Sequence, residues 1–94
     1  MRVKIPSKNP LTDLLEFAEK NRASAIFREI SESKIIYYLI KPDYYFSNRF
    51  EGQMEELQFK LFPENNTLIL CTSKSRDDPI WAKSERVYWQ AEEN

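Results

Sequence analysis

Apolar residues recur with two different periods along this chain, and each period predicts a different kind of element. Helical spacing marks LTDLLEFAEKN (residues 11–21), where the apolar positions share one face of a helix. We expect Asn9 to be its N-cap, Pro10 its first residue and Asn21 its left-handed end. The apolar stripe consists of Leu11, Leu14, Leu15 and Ala18.

Extended structure is predicted for RVKI (2–5) and for the two segments that follow the helix. ASAIFREI (23–30) alternates and is rich in β-branched residues, which favours a strand, although a 20-residue helix continuing to Ile30 is the alternative. SESK (31–34) predicts a hairpin turn. KIIYYLIK (34–41) is apolar on both faces, as a central strand requires.

The middle of the chain predicts a second hairpin. YYFSNRF (44–50) is interpreted as an irregular or edge segment. EELQFKLF (55–62) alternates between apolar and polar residues and predicts a strand, PENN (63–66) a four-residue loop, and TLILCT (67–72) the antiparallel return strand.

The last segment, PIWAKSERVYWQAEE (79–93), predicts a C-terminal helix. Pro79 would open it, Asp78 would cap it, and Asp77 would add charge at the positive end of the helix dipole. The predicted fold class is therefore α+β, a four-stranded antiparallel sheet with an N-terminal and a C-terminal helix packed on one face. Residues 1–94 are expected to form a single domain.

Charge and composition narrow the classes of partner. The formal net charge is −1, from 14 Lys and Arg against 15 Asp and Glu, and the basic residues are scattered, which argues against nucleic-acid binding. Since no apolar run approaches the length of about 20 residues that spans a bilayer, we expect no membrane association and a cytoplasmic location. Self-association stays open.

Residue types that carry chemistry are few. The chain has no histidine, one cysteine and one glycine, which argues against imidazole triads, a zinc site and a glycine-rich phosphate loop. Cys71 in a predicted strand is interpreted as a buried, inert thiol. Glu55 and Glu56 would point to opposite faces of a strand and could not hold one cation. We expect no cofactor and no catalytic activity.

Two clusters are candidate sites. Hydroxyl and basic groups stand just before the predicted last helix and offer a binding site for an anion; the alternative is that the serines satisfy the backbone of a turn while the cations are solvated. The candidate anion ligands are Ser73, Ser75, Arg76 and Arg86. Aromatic residues of the last helix exceed what one small sheet covers, so at least one is expected to be a partly exposed protein-binding anchor, unless all cover the sheet edge. They are Trp81, Tyr88 and Trp89.

The order of these elements resembles the uncharacterised family called domain of unknown function 1499. The matching features are the acidic pair Glu55 and Glu56 before LQFKLF, the PENN loop, and the Ser-x-Ser-Arg signature at residues 73–76. The resemblance implies the helix and strand layout given above, and the family has no agreed function.

These observations predict a small non-catalytic protein-interaction module that acts as an accessory or regulatory subunit. The alternatives are a small-ligand or anion-binding domain that uses the Ser-x-Ser-Arg turn, and a phage-type inhibitor of a host enzyme. The inhibitor would show the same acidic balance and surplus aromatic surface as the interaction module.

Overall fold

Two helices and four strands form the described part of the protein, residues 10–45, 47–64 and 66–91 of a computed structural model. The predicted extended segment 2–5 and the predicted N-cap Asn9 lie outside these residues. In chain order the elements are α1 (Pro10–Lys20), β1 (Ala25–Ile30), β2 (Ile35–Ile40), α2 (Asn48–Leu61), β3 (Thr67–Thr72), a 3₁₀ turn (Pro79–Trp81) and β4 (Glu85–Trp89).

Helix α1 confirms the predicted first helix. Leu14 and Ala18 lie one turn apart and are fully buried, and Leu11 and Leu15 pack beside them. The stripe therefore faces the core as its spacing predicted.

The end of α1 departs from the prediction by one residue. The Ala23 N–H donates to the Ala18 carbonyl (2.9 Å) and the Arg22 N–H to the Glu19 carbonyl (3.2 Å), which is the Schellman pattern of helix termination. The left-handed residue is Arg22, with φ of 62°, rather than Asn21. The Asn21 side-chain amide instead donates to the Phe17 carbonyl in the last turn of α1. A side chain larger than glycine in this conformation costs about 1 kcal/mol.

Strands β1 and β2 form the predicted hairpin, and the alternative of one long helix is wrong. Ile30 pairs with Ile35, and the Ser31 N–H donates to the Lys34 carbonyl (2.9 Å) across the turn. The strand order is β3-β2-β1-β4. Strand β2 is therefore an interior strand, as its two apolar faces predicted.

The predicted strand at 55–62 is wrong, because residues 55–61 belong to α2 and Phe62 is its C-cap. Phe50, Met54, Leu57 and Leu61 repeat at spacings of three and four and pack toward the core, a helical stripe that also appears as alternation when only 57–61 is considered. The Ser47 hydroxyl accepts from the Phe50 N–H and caps the helix. Residues 48–50 are therefore helical, and the prediction of an irregular or edge segment is wrong for them.

The prediction of a fully antiparallel sheet is wrong as well. Helix α2 carries the chain back along the sheet, so β3 lies parallel to β2, with Ile35 opposite Thr67. The PENN segment joins α2 to β3 and closes no hairpin. At the outer edge of β3, the Gln58 side-chain oxygen accepts from the Ile69 N–H (3.0 Å), which satisfies an edge donor of the sheet.

The predicted C-terminal helix does not form. Asp78 does cap a turn that starts at Pro79, since its carboxylate accepts from the Ile80 N–H (2.9 Å), but the turn ends after Trp81. The following ERVYW segment is rich in residues that favour strands, and it forms β4 on the open edge of β1, with Ala25 opposite Trp89. A register shift interrupts this pairing beside Ile26.

The sheet has one helix-covered face and one helix-free face. Buried residues of both helices join the first cluster, together with Ile26, Leu39 and Ile69. The second cluster contains Ala25, Phe27, Ile40 and Trp81, with Tyr38 and Trp89 against it, and neither helix contributes to it. No helix in the described part of the chain has the length and apolar character that a membrane crossing requires.

Candidate functional site

Trp81 is a core residue of the loop that follows β3. Its ring is 7% exposed, stacks on Phe27 (centroids 5.2 Å apart, planes at 8°) and tilts against Tyr38 (5.0 Å). Its indole N–H donates to the Ser75 carbonyl (3.0 Å). The loop therefore closes over β1 and part of β2 through Trp81, and this ring is not accessible as a surface anchor.

The other two predicted anchors face opposite sides of the sheet. Tyr88 packs against the helix-side cluster, whereas Trp89 packs against the cluster of the helix-free face and contacts Phe27 edge-on (6.3 Å). Both are half-buried. Trp81, Tyr88 and Trp89 thus do not form one surface, because strand geometry separates neighbours that a helix was expected to place together.

Two arginines lie over the Trp89 ring. The guanidinium carbons of Arg76 and Arg86 are 4.1 and 4.0 Å from its centroid. Arg76 also donates from Nη1 to the carbonyls of Ser24 (2.9 Å) and Gln90 (2.8 Å), which ties the loop to residues flanking β1 and β4. Within the described residues the exposed Arg86 side chain has this contact with Trp89 and no hydrogen bond or ion pair.

An open groove of about 970 Å³ lies beyond the carboxyl ends of β2 and β3. Its walls bring together the predicted Ser73, Ser75 and Arg76 and add Arg22, which the sequence interpretation missed. A second groove, of about 390 Å³, contains Arg76, Arg86 and Trp89. Arg76 therefore borders both grooves, and Arg86 is placed with Arg76 rather than with the two serines.

Hydroxyl groups in this loop already satisfy the backbone of the turn. The Ser75 hydroxyl accepts from the Asp77 N–H (3.0 Å), and the Thr72 hydroxyl accepts from the Lys74 N–H (3.2 Å). These are the short-range bonds that serine and threonine make in turns. The arrangement accounts for Ser75 and Thr72 without any ligand.

The thiol lies in an environment that keeps it neutral. Burial, followed by the nearby Glu51 carboxylate, raises the pKa of Cys71 to about 12. The Tyr44 hydroxyl donates to Glu51, and this bond raises the pKa of Tyr44 to about 12. A thiol with such a pKa is a poor nucleophile near neutral pH. Among the described residues no group of three or more acidic or thiol side chains could hold a metal ion.

Part of the helix-free face lies outside the cover of the Trp81 loop. Alternation along β2 and β3 places Ile36, Leu68 and Leu70 on this face, opposite the side chains that pack on the helices, and none of the three belongs to either buried cluster. Leu70 is 43% exposed, and the other two are half-buried. We refer to these three residues as the aliphatic patch. Sequence reasoning misses the patch, because it predicts TLILCT as the antiparallel partner of residues 55–62, whereas β3 pairs with β2.

Comparison with known protein families, characterised proteins and solved structures finds no match for this chain. The resemblance to domain of unknown function 1499 stays a prediction. Glu55 and Glu56, which contributed to it, lie within α2.

Proposed function

We propose that this chain is a small non-catalytic protein-interaction module that binds its partner through the helix-free face. The observation that carries the proposal is the aliphatic patch of Ile36, Leu68 and Leu70 on a sheet face that the fold covers only in part. Apolar sheet faces in folded domains pack against a second layer, and contiguous exposed apolar patches on small proteins mark interaction sites.

Charges at the border of the helix-free face bear on the chemistry of the partner. They lie toward the β4 edge, on the side of the sheet away from the patch on β2 and β3. Arg86 lies on the same face, because it pairs with Phe27 across β1 and β4, and Arg76 reaches the same Trp89 ring from the loop. A protein surface with an apolar centre and acidic side chains at its border complements this arrangement. Charge complementarity of that kind selects partners and accelerates their encounter.

The absence of histidine and the neutral Cys71 thiol support a binding role rather than catalysis. The alternative of a small anion-binding domain draws support from the groove that Arg22 and Ser73 line. Ser75 and Arg76 are already engaged with the backbone, which makes that alternative weaker. An inhibitor of a host enzyme is one form of the same interaction module.

A charge placed in the patch tests the proposal. Leu70→Lys should weaken partner binding at least tenfold, since burying a leucine at an interface contributes about 1.5–3 kcal/mol. Phe59→Lys is the matched control, because Phe59 is 67% exposed on α2 and lies outside the patch. Proteins captured from an extract of the expressing cells would be compared between wild type and both variants, and the affinity then measured with the purified partner.

The proposal requires a protein that is lost with Leu70→Lys and retained with Phe59→Lys. Circular dichroism would confirm that both variants fold. If folded Leu70→Lys and Phe59→Lys capture the same proteins with the same affinities as wild type, the helix-free face is not the interface.

A further inference from the structure

We infer that the outer edge of β3 is a strand-addition site, which pairs with an extended segment of the partner protein. This inference rests on the proposed function and deepens it, because a strand added beside β3 places side chains against Leu68 and Leu70 of the aliphatic patch. Strand β3 is the last strand on its side of the sheet, and an edge strand offers its outer backbone groups to another chain.

The ladder between β2 and β3 determines which backbone groups of β3 point outward. The Thr72 carbonyl accepts from the Lys41 N–H (2.9 Å), so the even-numbered residues of β3 bond to β2. Because the direction of the backbone groups alternates along a strand, the N–H and C=O groups of Thr67, Ile69 and Cys71 point away from the sheet. These three residues present a row of donors and acceptors along the edge.

Within the described residues, one side chain occupies this outer row. The Gln58 Oε1 atom accepts from the Ile69 N–H (3.0 Å), which agrees with the outward direction of that group. Gln58 is half-buried and uncharged, so a carbonyl of an incoming strand can replace its amide oxygen without leaving a charge unpaired. We assign Gln58 the role of a replaceable cover on the edge.

The opposite edge of the sheet carries features that β3 lacks. Strand β4 contains Glu85 and Arg86, a register shift interrupts its pairing with β1, and Arg76 donates to the Gln90 carbonyl directly after it. Charged side chains and bulges keep edge strands from pairing with another chain. The β3 sequence TLILCT contains neither a charged residue nor a proline. Strand β3 is therefore the edge at which a further strand adds.

The aliphatic patch determines the side-chain chemistry of the incoming strand. In an antiparallel pair, residues that lie directly opposite each other project to the same face of the sheet. The residues opposite Leu68 and Leu70 therefore lie on the helix-free face, where Leu70 is 43% exposed. Apolar side chains at these positions cover the two leucines. The occupant is thus an extended segment with apolar residues at every second position.

A second copy of this chain fits the edge less well than a different protein does. Antiparallel pairing of β3 with itself places a two-fold axis at the edge and keeps both copies of α2 on the same side of the joined sheet. Glu51 and Glu55 line the groove beside Ile69, and no Lys or Arg of the described residues lines it with them. The carboxylates of the two copies would approach each other across the axis, and like charges oppose such pairing.

The experiment titrates the intact chain with a fluorescein-labelled peptide of alternating threonine and valine that has a lysine at each end, and follows fluorescence polarisation. When the valines cover the leucines, the threonine N–H groups face β3 and the valine N–H groups face away. N-methylation of the threonines should therefore weaken binding at least tenfold, since several hydrogen bonds are lost. N-methylation of the valines should change the affinity by less than about threefold.

Substitutions in the chain test the same pairing from the other side. Gln58→Ala should strengthen peptide binding about fivefold, because the incoming carbonyl no longer has to displace the Gln58 amide. Gln53→Ala is the matched control, since it truncates the same side chain at an exposed position of α2 that lines a different groove, and it should change binding less than about twofold. Cys71→Pro removes an outward N–H and keeps the ladder to β2, and should weaken binding about fivefold. Circular dichroism would confirm that the variants fold.

Amide hydrogen exchange locates the added strand within β3. With saturating peptide, the outward amides of Thr67 and Cys71 should exchange at least about tenfold more slowly. The Leu70 amide is the internal control, because it bonds to β2 in the free chain as well, and its exchange should not change.

The inference is overturned if the unmodified peptide does not bind, or if the two N-methylated peptides bind equally well. Unchanged affinity in Gln58→Ala would show that the incoming strand does not reach the Ile69 N–H. Slow exchange of the Cys71 amide without peptide, together with a dimer in analytical ultracentrifugation, would assign the edge to a second copy of this chain.

The outcomes for this edge and for the proposed function are distinguishable. If a Leu70-dependent partner is captured and leaves the exchange of the Cys71 amide unchanged, strand addition fails and the helix-free face remains the interface. If the peptide binds as expected and no captured protein depends on Leu70, the edge is a binding site and the proposed role of the aliphatic patch fails.

Discussion

Replacing Trp81 by alanine tests the position of this residue more directly than any other change. In a C-terminal helix an exposed Trp81 would contribute little to stability. In the structure its ring is 7% exposed, lies against Phe27 and Tyr38 and bonds to the Ser75 carbonyl. Alanine removes the whole contact surface and leaves a cavity beneath the loop.

The expected loss is large for a protein of this size. Truncation of a buried tryptophan costs about 3–5 kcal/mol. The freed Ser75 carbonyl adds about 1 kcal/mol if water does not reach it. Because domains are stable by about 0.05–0.15 kcal/mol per residue, Trp81→Ala is expected to remove between a third and most of the stability.

Urea unfolding followed by far-ultraviolet circular dichroism measures this loss. With a slope of about 1–2 kcal/mol per M, the midpoint should fall by about 2 M or more. Ile80→Ala is the matched control, since Ile80 is the preceding residue and 59% exposed, and we expect a change within about 0.5 kcal/mol. If Trp81→Ala and Ile80→Ala cost the same small amount, Trp81 does not close the second cluster and the loop is wrongly placed.

Three further predictions concern the loop, the sheet edge and alkaline pH. Arg76→Met should destabilise the chain by about 2 kcal/mol, because two hydrogen bonds to backbone carbonyls and the contact with the Trp89 indole are lost. A loss below about 0.5 kcal/mol in urea unfolding would contradict the role of Arg76 in anchoring the loop. Gln58→Ala should cost about 1 kcal/mol and accelerate hydrogen exchange at the Ile69 amide, whereas unchanged exchange would show that the edge donor has another partner. The pKa values of Cys71 and Tyr44 are raised to about 12 in the folded chain, so both groups ionise first in the unfolded chain. The free energy of unfolding that depends on these neutral groups should therefore be fully present below pH 9 and be lost as the pH rises toward 12. Cys71→Ala should reduce that alkaline loss, and an identical pH profile would exclude a thiol contribution.

The elements that the sequence predicts correctly are those whose signal is local. The stripe of α1 repeats over about two turns, and the hairpin of β1 and β2 needs only β-branched strands and a short polar turn. Asp78 and Pro79 also start a turn where they were expected to. In each case the residues that determine the structure lie within one helix, one hairpin or one turn.

The errors occur where a short window fits two periods. Leu57, Phe59 and Leu61 alternate as in a strand, yet Leu57 and Leu61 also continue the helical series from Phe50 and Met54. Only Phe59 separates the two interpretations, since a strand would bury it and the helix exposes it. Because the pattern predicts a strand in place of α2, it also predicts an antiparallel neighbour for β3. The face on which the aliphatic patch lies cannot be located from that arrangement.

The arrangement of the candidate site differs from the prediction because residues 85–89 form a strand and not part of a helix. A helix would have placed Trp81, Tyr88 and Trp89 on one surface, whereas the edge strand separates Tyr88 from Trp89 and frees the preceding loop to bury Trp81. That loop brings Arg76 over Trp89, where β4 also places Arg86. The aromatic residues thus act mainly inside the fold: Trp81 holds the loop against β1, and Trp89 holds the two arginines at the β4 edge of the helix-free face.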